Sequence, residues 1–313
     1  MQNNTTPKNR APRNRTLTLT DDDRAAFSAQ LLRPDRPLTA ADFENRIINA
    51  DFMEVAALLP EHCVDLAIVD PPYSIAKDFH GLRFGASGFE DYLAYLESWL
   101  PLVIRTLKPD GSLYLCGDWQ CSAAGYLAMR KFLKVRGRIV WQREKGRGAA
   151  RNWKNCTEDI WFGTVSDDYY FDAAAVKLRR RVIAPYRENG KPKDWVESRD
   201  GNYRLTFASN FWDDISIPFW SMPENTDHPT QKPEKLLAKL ILASSAPGGL
   251  VFDPFLGSGT TAVAAKKLGR RFAGVEINTE YCCWAQARLQ RAGTDPAIQG
   301  YENGVFLERN TRQ

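Results

Sequence analysis

The chain has 313 residues, 43% of them hydrophobic and 12% aromatic, enough to bury one large α/β core or two modest ones. A formal net charge of +4 does not by itself mark a nucleic-acid binder. No stretch approaches the ~20 apolar residues that span a bilayer, and no apolar signal core opens the chain, so a cytoplasmic protein is expected. The six cysteines contain no CxxC pair and there are only three histidines, which excludes a zinc constellation and points to reduced thiols.

In chain order, residues 1–15 carry four basic residues and no acid, and 1–40 read as a flexible basic tail. A short strand at 46–49, a helix near 53–59 and a buried strand at 64–69 follow, the last ending in Asp70-Pro71-Pro72-Tyr73. An amphipathic helix over 89–107 stops at the turn Lys108-Pro109-Asp110-Gly111. Next come a strand at 112–116, a helix at 123–133 and strands at 138–142 and 159–163. Basic charge is concentrated here: residues 130–154 hold ten Lys and Arg against the single acid Glu144. Periodicity is lost over 173–223, which reads as an inserted region rich in basic and aromatic residues. A helix at 234–244, a strand at 250–252, a glycine loop, a helix at 260–268 and a strand at 271–275 resume the alternation. The whole reads as an α/β fold with a parallel sheet, with one half over 41–172, a second over 224–292 and a tail over 293–313.

At 252–261 a strand runs through Asp253, Phe255, Gly257, Ser258 and Gly259 into a helix opened by Thr260 and Thr261, an arrangement that lets backbone approach a ligand. Glu276 and Asn278 follow the next strand, about 20 residues on, where a carboxylate accepts ribose hydroxyls. Neither a dinucleotide fingerprint nor a phosphate loop is present, so a nucleoside cofactor without pyrophosphate fits better. His228, Thr230 and Lys232 open the preceding helix, where free backbone N–H groups, a hydroxyl and an ammonium suit a carboxylate.

Asp70-Pro71-Pro72-Tyr73 lies at the C-terminal edge of a buried strand, where open α/β sheets place chemistry. The amino nitrogen of a base is a poor nucleophile because its lone pair is delocalised into the ring. Asp70 can accept one amino hydrogen and the Pro71 carbonyl the other, which localises that lone pair. The prolines stiffen the loop and bring no competing N–H, and Tyr73 offers a ring for stacking. A base inside a duplex must first be flipped out, at a cost of roughly a few kcal/mol.

With these motifs in this order, the chain resembles the β class of amino-methyltransferases of bacterial and phage restriction-modification systems, over residues 47–288. The resemblance implies a Rossmann-like, mostly parallel seven-stranded sheet with a circularly permuted motif order, and S-adenosylmethionine as methyl donor. It implies that Phe255 packs on the cofactor adenine, that Asp51 lies near the cofactor, and that Asp70 serves both the methionine moiety and the target amino group. Asp at position 70 favours adenine N6 over cytosine N4, and 80–88 would be a loop closing over the flipped base. Double-stranded DNA is the implied partner, with a homodimer and a cognate restriction endonuclease as further expectations. Arg147, Arg151 and Lys154 are placed by topology to meet phosphates, and 173–223, with Arg179, Arg180 and Arg181, to recognise the target. No metal is expected. Methylation of an RNA base or of protein glutamine, and a non-catalytic DNA-binding role, remain rival readings; the intact motifs and the basic insertion favour a DNA enzyme.

Overall fold

The computed structural model of the chain describes residues 11–73, 77–79, 82–84, 88–143, 150–183, 186–197 and 201–308. The chain enters through α1 (Asp21–Ser28) and α2 (Ala40–Phe43). Each is started by a reciprocal cap, Thr20 with Asp23 and Thr39 with Asp42, which satisfies N–H groups that a short helix leaves orphaned. Strand β1 (Arg46–Asn49) leads into α3 (Phe52–Val55) and a 3-10 turn, then β2 (Val64–Val69). A hairpin of β3 (Lys77–Phe79) and β4 (Leu82–Phe84) precedes α4 (Phe89–Ile104).

Strand β5 (Leu107–Gly117), α5 (Ser122–Phe132), β6 (Lys134–Gln142) and β7 (Thr157–Thr164) complete the first half. The turn expected at 108–111 is an excursion within β5: Leu107 pairs with Val64 and Ser112 with Leu66, so the residues between them loop out of the ladder.

The second half contains β8 (Leu178–Arg181), β9 (Arg187–Glu188), β10 (Lys191–Pro192), β11 (Tyr203–Thr206) and β12 (Phe211–Trp212). Then come α6 (Glu234–Ser244), β13 (Leu250–Asp253), α7 (Thr260–Lys267), β14 (Arg271–Glu276) and α8 (Thr279–Ala292), followed by β15 (Tyr301–Glu302) and β16 (Val305–Leu307).

The main sheet runs β1-β14-β13-β2-β5-β7-β6-β12. Its pairings are parallel except those of β7 with β5 and with β6. Eight strands replace the expected seven because the two-residue β12 joins the edge beside β6. One face buries Ala67, Val69, Leu113 and Phe252 under Leu96, Trp99 and Leu100 of α4 and Ala128 of α5. The other buries Leu66, Ile68, Tyr114 and Val251 under α6, α7 and α8. Each fully buried large apolar side chain contributes roughly 1.5–3 kcal/mol, so this three-layer core fixes the strand ends that carry the site.

Three boundaries differ from the sequence reading. Residues 16–38 are not a free tail: Leu17 and Phe27 pack on Tyr281, Trp284 and Ala287 of α8, and Leu32 bridges Ile48. Nor do residues beyond 292 form a tail, because β15 and β16 join β8 and β11 in a second sheet of order β11-β8-β16-β15. The inserted region is therefore half of a unit completed by the C-terminal strands. This unit packs Val176, Leu178 and Phe306 against Ala238 and Leu242, which explains why all of α6 is buried although its sequence looks amphipathic.

Candidate active site

From β2 the chain crosses by α4 to β5 on one side, whereas β13, next to β2, crosses by α7 to β14 on the other. The crevice at the carboxyl ends of β2 and β13 is thus the point where the winding reverses, the place where open α/β sheets bind ligands. A cavity of about 290 Å³ opens there. All the catalytic and cofactor residues expected from the sequence line it except Gly259.

Asp70 follows directly on β2. Tyr73 Oη donates to Asp70 Oδ1 at 2.7 Å, and Lys232 Nζ donates to Asp70 Oδ2 at 2.6 Å and to Tyr73 Oη at 3.3 Å. Behind Lys232 lies Glu158 of β7, whose Oε2 is 3.4 Å from the ammonium, while Arg143 donates to Glu158 Oε1 at 2.5 Å. Burial pulls the Lys232 pKa down, but Asp70 and Glu158 outweigh it and hold the ammonium above its ordinary range. Burial, reinforced by the Asp70 charge, pushes the Tyr73 phenol well up. The Tyr73 hydroxyl from the loop and the Lys232 ammonium from the entry to α6 thus both donate to Asp70.

The glycine loop is built from the polar groups around it. Asp253 ends β13, and its buried carboxylate accepts the Phe255 N–H at 3.0 Å and the Thr261 hydroxyl at 2.6 Å. Burial raises its pKa to about 7 against these two hydrogen bonds. Gly257 and Gly259 have φ of 55° and 84°, a region costly to any side chain. Arg288 of α8 donates to the Ser258 carbonyl at 2.8 Å and to Thr260 Oγ1 at 3.0 Å. With the Ser258 hydroxyl also accepting from Arg288, at 3.3 Å, the hydroxyls of Ser258, Thr260 and Thr261 all hold the loop. Gly259 faces away from the cavity, against Ala285.

Glu276 ends β14, accepting the Gly257 N–H through Oε2 and the Asn278 N–H through Oε1, both at 2.8 Å. Burial raises its pKa and these donors oppose the rise. Asn278 caps α8 and Asp51 caps α3 while both line the cavity. The Phe255 ring meets Trp99 edge-on at 5.1 Å, which leaves it half-buried against the core.

At the entry to α6 the groups expected to hold a carboxylate line the cavity and have partners within the chain. The Glu234 N–H is taken by the chain's own Glu224 at 2.8 Å, the Thr230 N–H turns to His228 Nδ1 at 3.3 Å, and Lys232 engages Asp70 and Glu158. Sequence reasoning missed Glu158, Arg288 and the aromatic floor of Tyr95 and Trp99. A hint for Glu158 was available, since it is an acid in a strand whose next residues are Asp159, Ile160, Trp161 and Phe162.

Of the expected phosphate contacts, Arg151 and Lys154 are exposed, and Arg147 lies outside the described residues. Arg179 stacks on Tyr203 at 4.0 Å, and Arg180 lies 3.6 Å from Asp213 and 3.9 Å from Glu308. Both are engaged by these contacts within the chain, and Arg181 is the exposed member of the trio. The segment 80–88 lies largely outside the described residues.

Among known proteins, the family model described as a DNA methylase matches residues 64–287. DNA adenine methyltransferase YhdJ of Escherichia coli K12 is 34% identical over 254 residues, 79% of this chain and 83% of that one. The chain belongs to the DNA methylase family. Among solved structures, the M1.HpyAVI–SAM complex is 26% identical with a TM-score of 0.50, covering 78% of this chain and 98% of that one. The cytosine-N4-specific PvuII DNA methyltransferase shares the fold with a TM-score of 0.60 at 17% identity, over 82% of this chain and 88% of that one.

Proposed function

We propose that this DNA methylase transfers a methyl group from S-adenosylmethionine to the N6 amino group of an adenine flipped out of a specific duplex sequence. The observation that carries the reading is the joining of Asp70 and Tyr73, through Lys232, to the same cavity as Phe255, Gly257 and Glu276.

The donor set fits the cofactor. Glu276 keeps acceptor capacity on both oxygens after its two backbone bonds and suits the ribose hydroxyls. The exposed side of Phe255 suits the adenine ring, Asp51 borders the same end, and the M1.HpyAVI structure is named as a complex with SAM. When bound, the cofactor supplies an electrophilic methyl on a sulfonium.

Asp70 and the Pro71 carbonyl accept the two hydrogens of the target amino group, which draws the nitrogen lone pair out of conjugation and turns it toward the methyl. Tyr73 stacks on the extruded base and offsets part of the unstacking cost of roughly a few kcal/mol. Asp at position 70 and the naming of YhdJ as an adenine methyltransferase favour N6. Arg151, Lys154 and Arg181 meet phosphates, which gives affinity without base choice, and the second sheet reads the target.

The test is incubation of mixed-sequence duplex DNA with methyl-labelled S-adenosylmethionine, followed by nucleoside analysis. N6-methyladenine is expected. N4-methylcytosine would overturn the choice of base, and unlabelled DNA beside labelled RNA or protein would overturn the substrate class.

A further inference from the structure

Both oxygens of Asp70 are engaged before any substrate arrives, Oδ1 by Tyr73 and Oδ2 by Lys232. If Asp70 accepts the target amino group, as the function proposed above requires, the amino hydrogen competes for the carboxylate with these two donors, of which the Lys232 ammonium is the charged one. The Lys232 side chain is only 10% exposed, so an ammonium leaving Asp70 for solvent would have to break out of a buried site. Glu158 offers a nearer destination. Its side chain is 4% exposed, its Oε2 is 3.4 Å from Lys232 Nζ, and among the described residues that oxygen is buried with no hydrogen-bond partner. Its other oxygen is fixed by Arg143 at 2.5 Å, which keeps the orphan oxygen aimed at the lysine.

Buried carboxylate oxygens without partners are costly and uncommon. Here the missing donor is one that already stands beside it. The distances of 2.6 Å to Asp70 and 3.4 Å to Glu158 describe one ammonium hydrogen-bonded to the first carboxylate and within a small displacement of the second. β5 lies between the strands that carry the two acids, and Lys232 reaches them from the entry to α6. The three groups therefore belong to elements whose spacing the sheet fixes, and the side chain of Lys232 is the movable part.

We propose that Lys232 is a two-position switch, passing from Asp70 Oδ2 to Glu158 Oε2 as the target amino group takes its place on Asp70, with Glu158 as the positioning residue. No proton is transferred in the exchange: Lys232 remains an ammonium, loses one carboxylate acceptor and gains the other. The charges of Asp70, Lys232, Glu158 and Arg143 cancel in both positions, so base entry does not strand a buried charge. Without the Glu158 carboxylate the ammonium stays on Asp70 and competes with the amino hydrogens.

The test is single-turnover methyl transfer to duplex DNA by the full chain as wild type, Glu158→Gln, Lys232→Met and the double variant, with cofactor and duplex Kd and thermal midpoints measured alongside. Displacement of reacting groups by about 1 Å costs up to about 10²-fold in rate, so Glu158→Gln is expected to be about 10- to 100-fold slower, with both Kd values within about threefold of wild type. In the Lys232→Met background the same substitution is expected to cost less than about twofold, because Glu158 acts through the lysine. A Glu158→Gln rate within twofold of wild type would overturn the switch, as would an equal loss in both backgrounds, which is the mark of a structural strut. Should Glu158→Gln fold poorly, the comparison of Lys232→Met with the double variant decides alone, since the double variant removes a cation and an anion together. Absence of transfer by wild type in this assay would contradict the proposed function instead.

Discussion

Lys232 Nζ and Asp70 Oδ2, separated by 162 residues of sequence, stand 2.6 Å apart and join the two halves of the methylase at its cavity. The lysine comes from the entry of α6 and the aspartate from the end of β2. The ion pair forms only when the sheet has brought the second half beside the first. Completion of the catalytic loop is thereby tied to completion of the fold.

Gly259 sets how closely the glycine loop approaches α8. A Cβ there would stand 2.4 Å from the Cβ of Ala285, at a φ of 84°. Gly259→Ala therefore combines overpacking, about 1–3 kcal/mol, with a left-handed backbone penalty of about 1–2 kcal/mol. Urea unfolding is expected to show a loss of about 2–5 kcal/mol; an unchanged midpoint would mean that α8 moves away without cost.

Asp253 makes stability depend on pH. Burial holds its folded pKa near 7 against an ordinary value of 3.8. Between those values the folded chain keeps a proton that the unfolded chain has released, so the stabilisation is full below about pH 4 and is lost as pH rises through 7. The slope is at most about 1.4 kcal/mol per pH unit. Asp253→Asn keeps the shape and removes the titration, so the difference in unfolding free energy, wild type minus variant, is expected to fall from pH 4 to pH 7 and then level off. A flat difference would show that Asp253 is already ionised in the fold.

Glu276 is the proposed ribose acceptor. Hydrogen bonds to a charged group contribute about 1.5–3 kcal/mol, so Glu276→Gln is expected to raise the Kd for S-adenosylmethionine about 10- to 100-fold in calorimetric titration. The Gly257 and Asn278 N–H groups retain an acceptor in part, so the thermal midpoint without cofactor should move little. An unchanged Kd would place the ribose elsewhere.

Arg151 and Lys154 are exposed in the connection between β6 and β7. If each neutralises one phosphate, Arg151→Ala and Lys154→Ala should each make the slope of log K against log salt shallower by about 0.9. Fluorescence anisotropy with a labelled duplex at several salt concentrations reads this directly, and a slope equal to that of wild type would remove the residue from the interface.

Much of the site was legible because its signals are local. The apolar run of β2 ends at Asp70 and two prolines, and β13 runs into Gly257 and Gly259 and is followed by Glu276, so two strand ends with chemistry on them stand out from neighbouring residues alone. Contacts made across the sheet were not legible. Glu158 gains its role from the order β2-β5-β7, and Arg179 and Arg180 are drawn inward by Tyr203, Asp213 and Glu308 from distant segments. Strands as short as β12 and β15 carry no readable period, which is why the edge strand and the C-terminal half of the second sheet escaped a reading by pattern. The N-terminal segment was misjudged because its basic first residues outweighed Leu17 and Phe27, whose burial depends on α8.

The most direct test of the account is single-turnover transfer of labelled methyl from S-adenosylmethionine to duplex DNA by wild type and Asp70→Ala, with cofactor affinity measured on the same preparations. Lys232 retains Glu158 in the variant, so the cavity keeps one of its two carboxylate partners for the lysine. The account predicts labelled N6-methyladenine from wild type and a loss of at least about 10²-fold in the variant, with S-adenosylmethionine still bound. A variant that binds the cofactor and methylates DNA at the wild-type rate would contradict it.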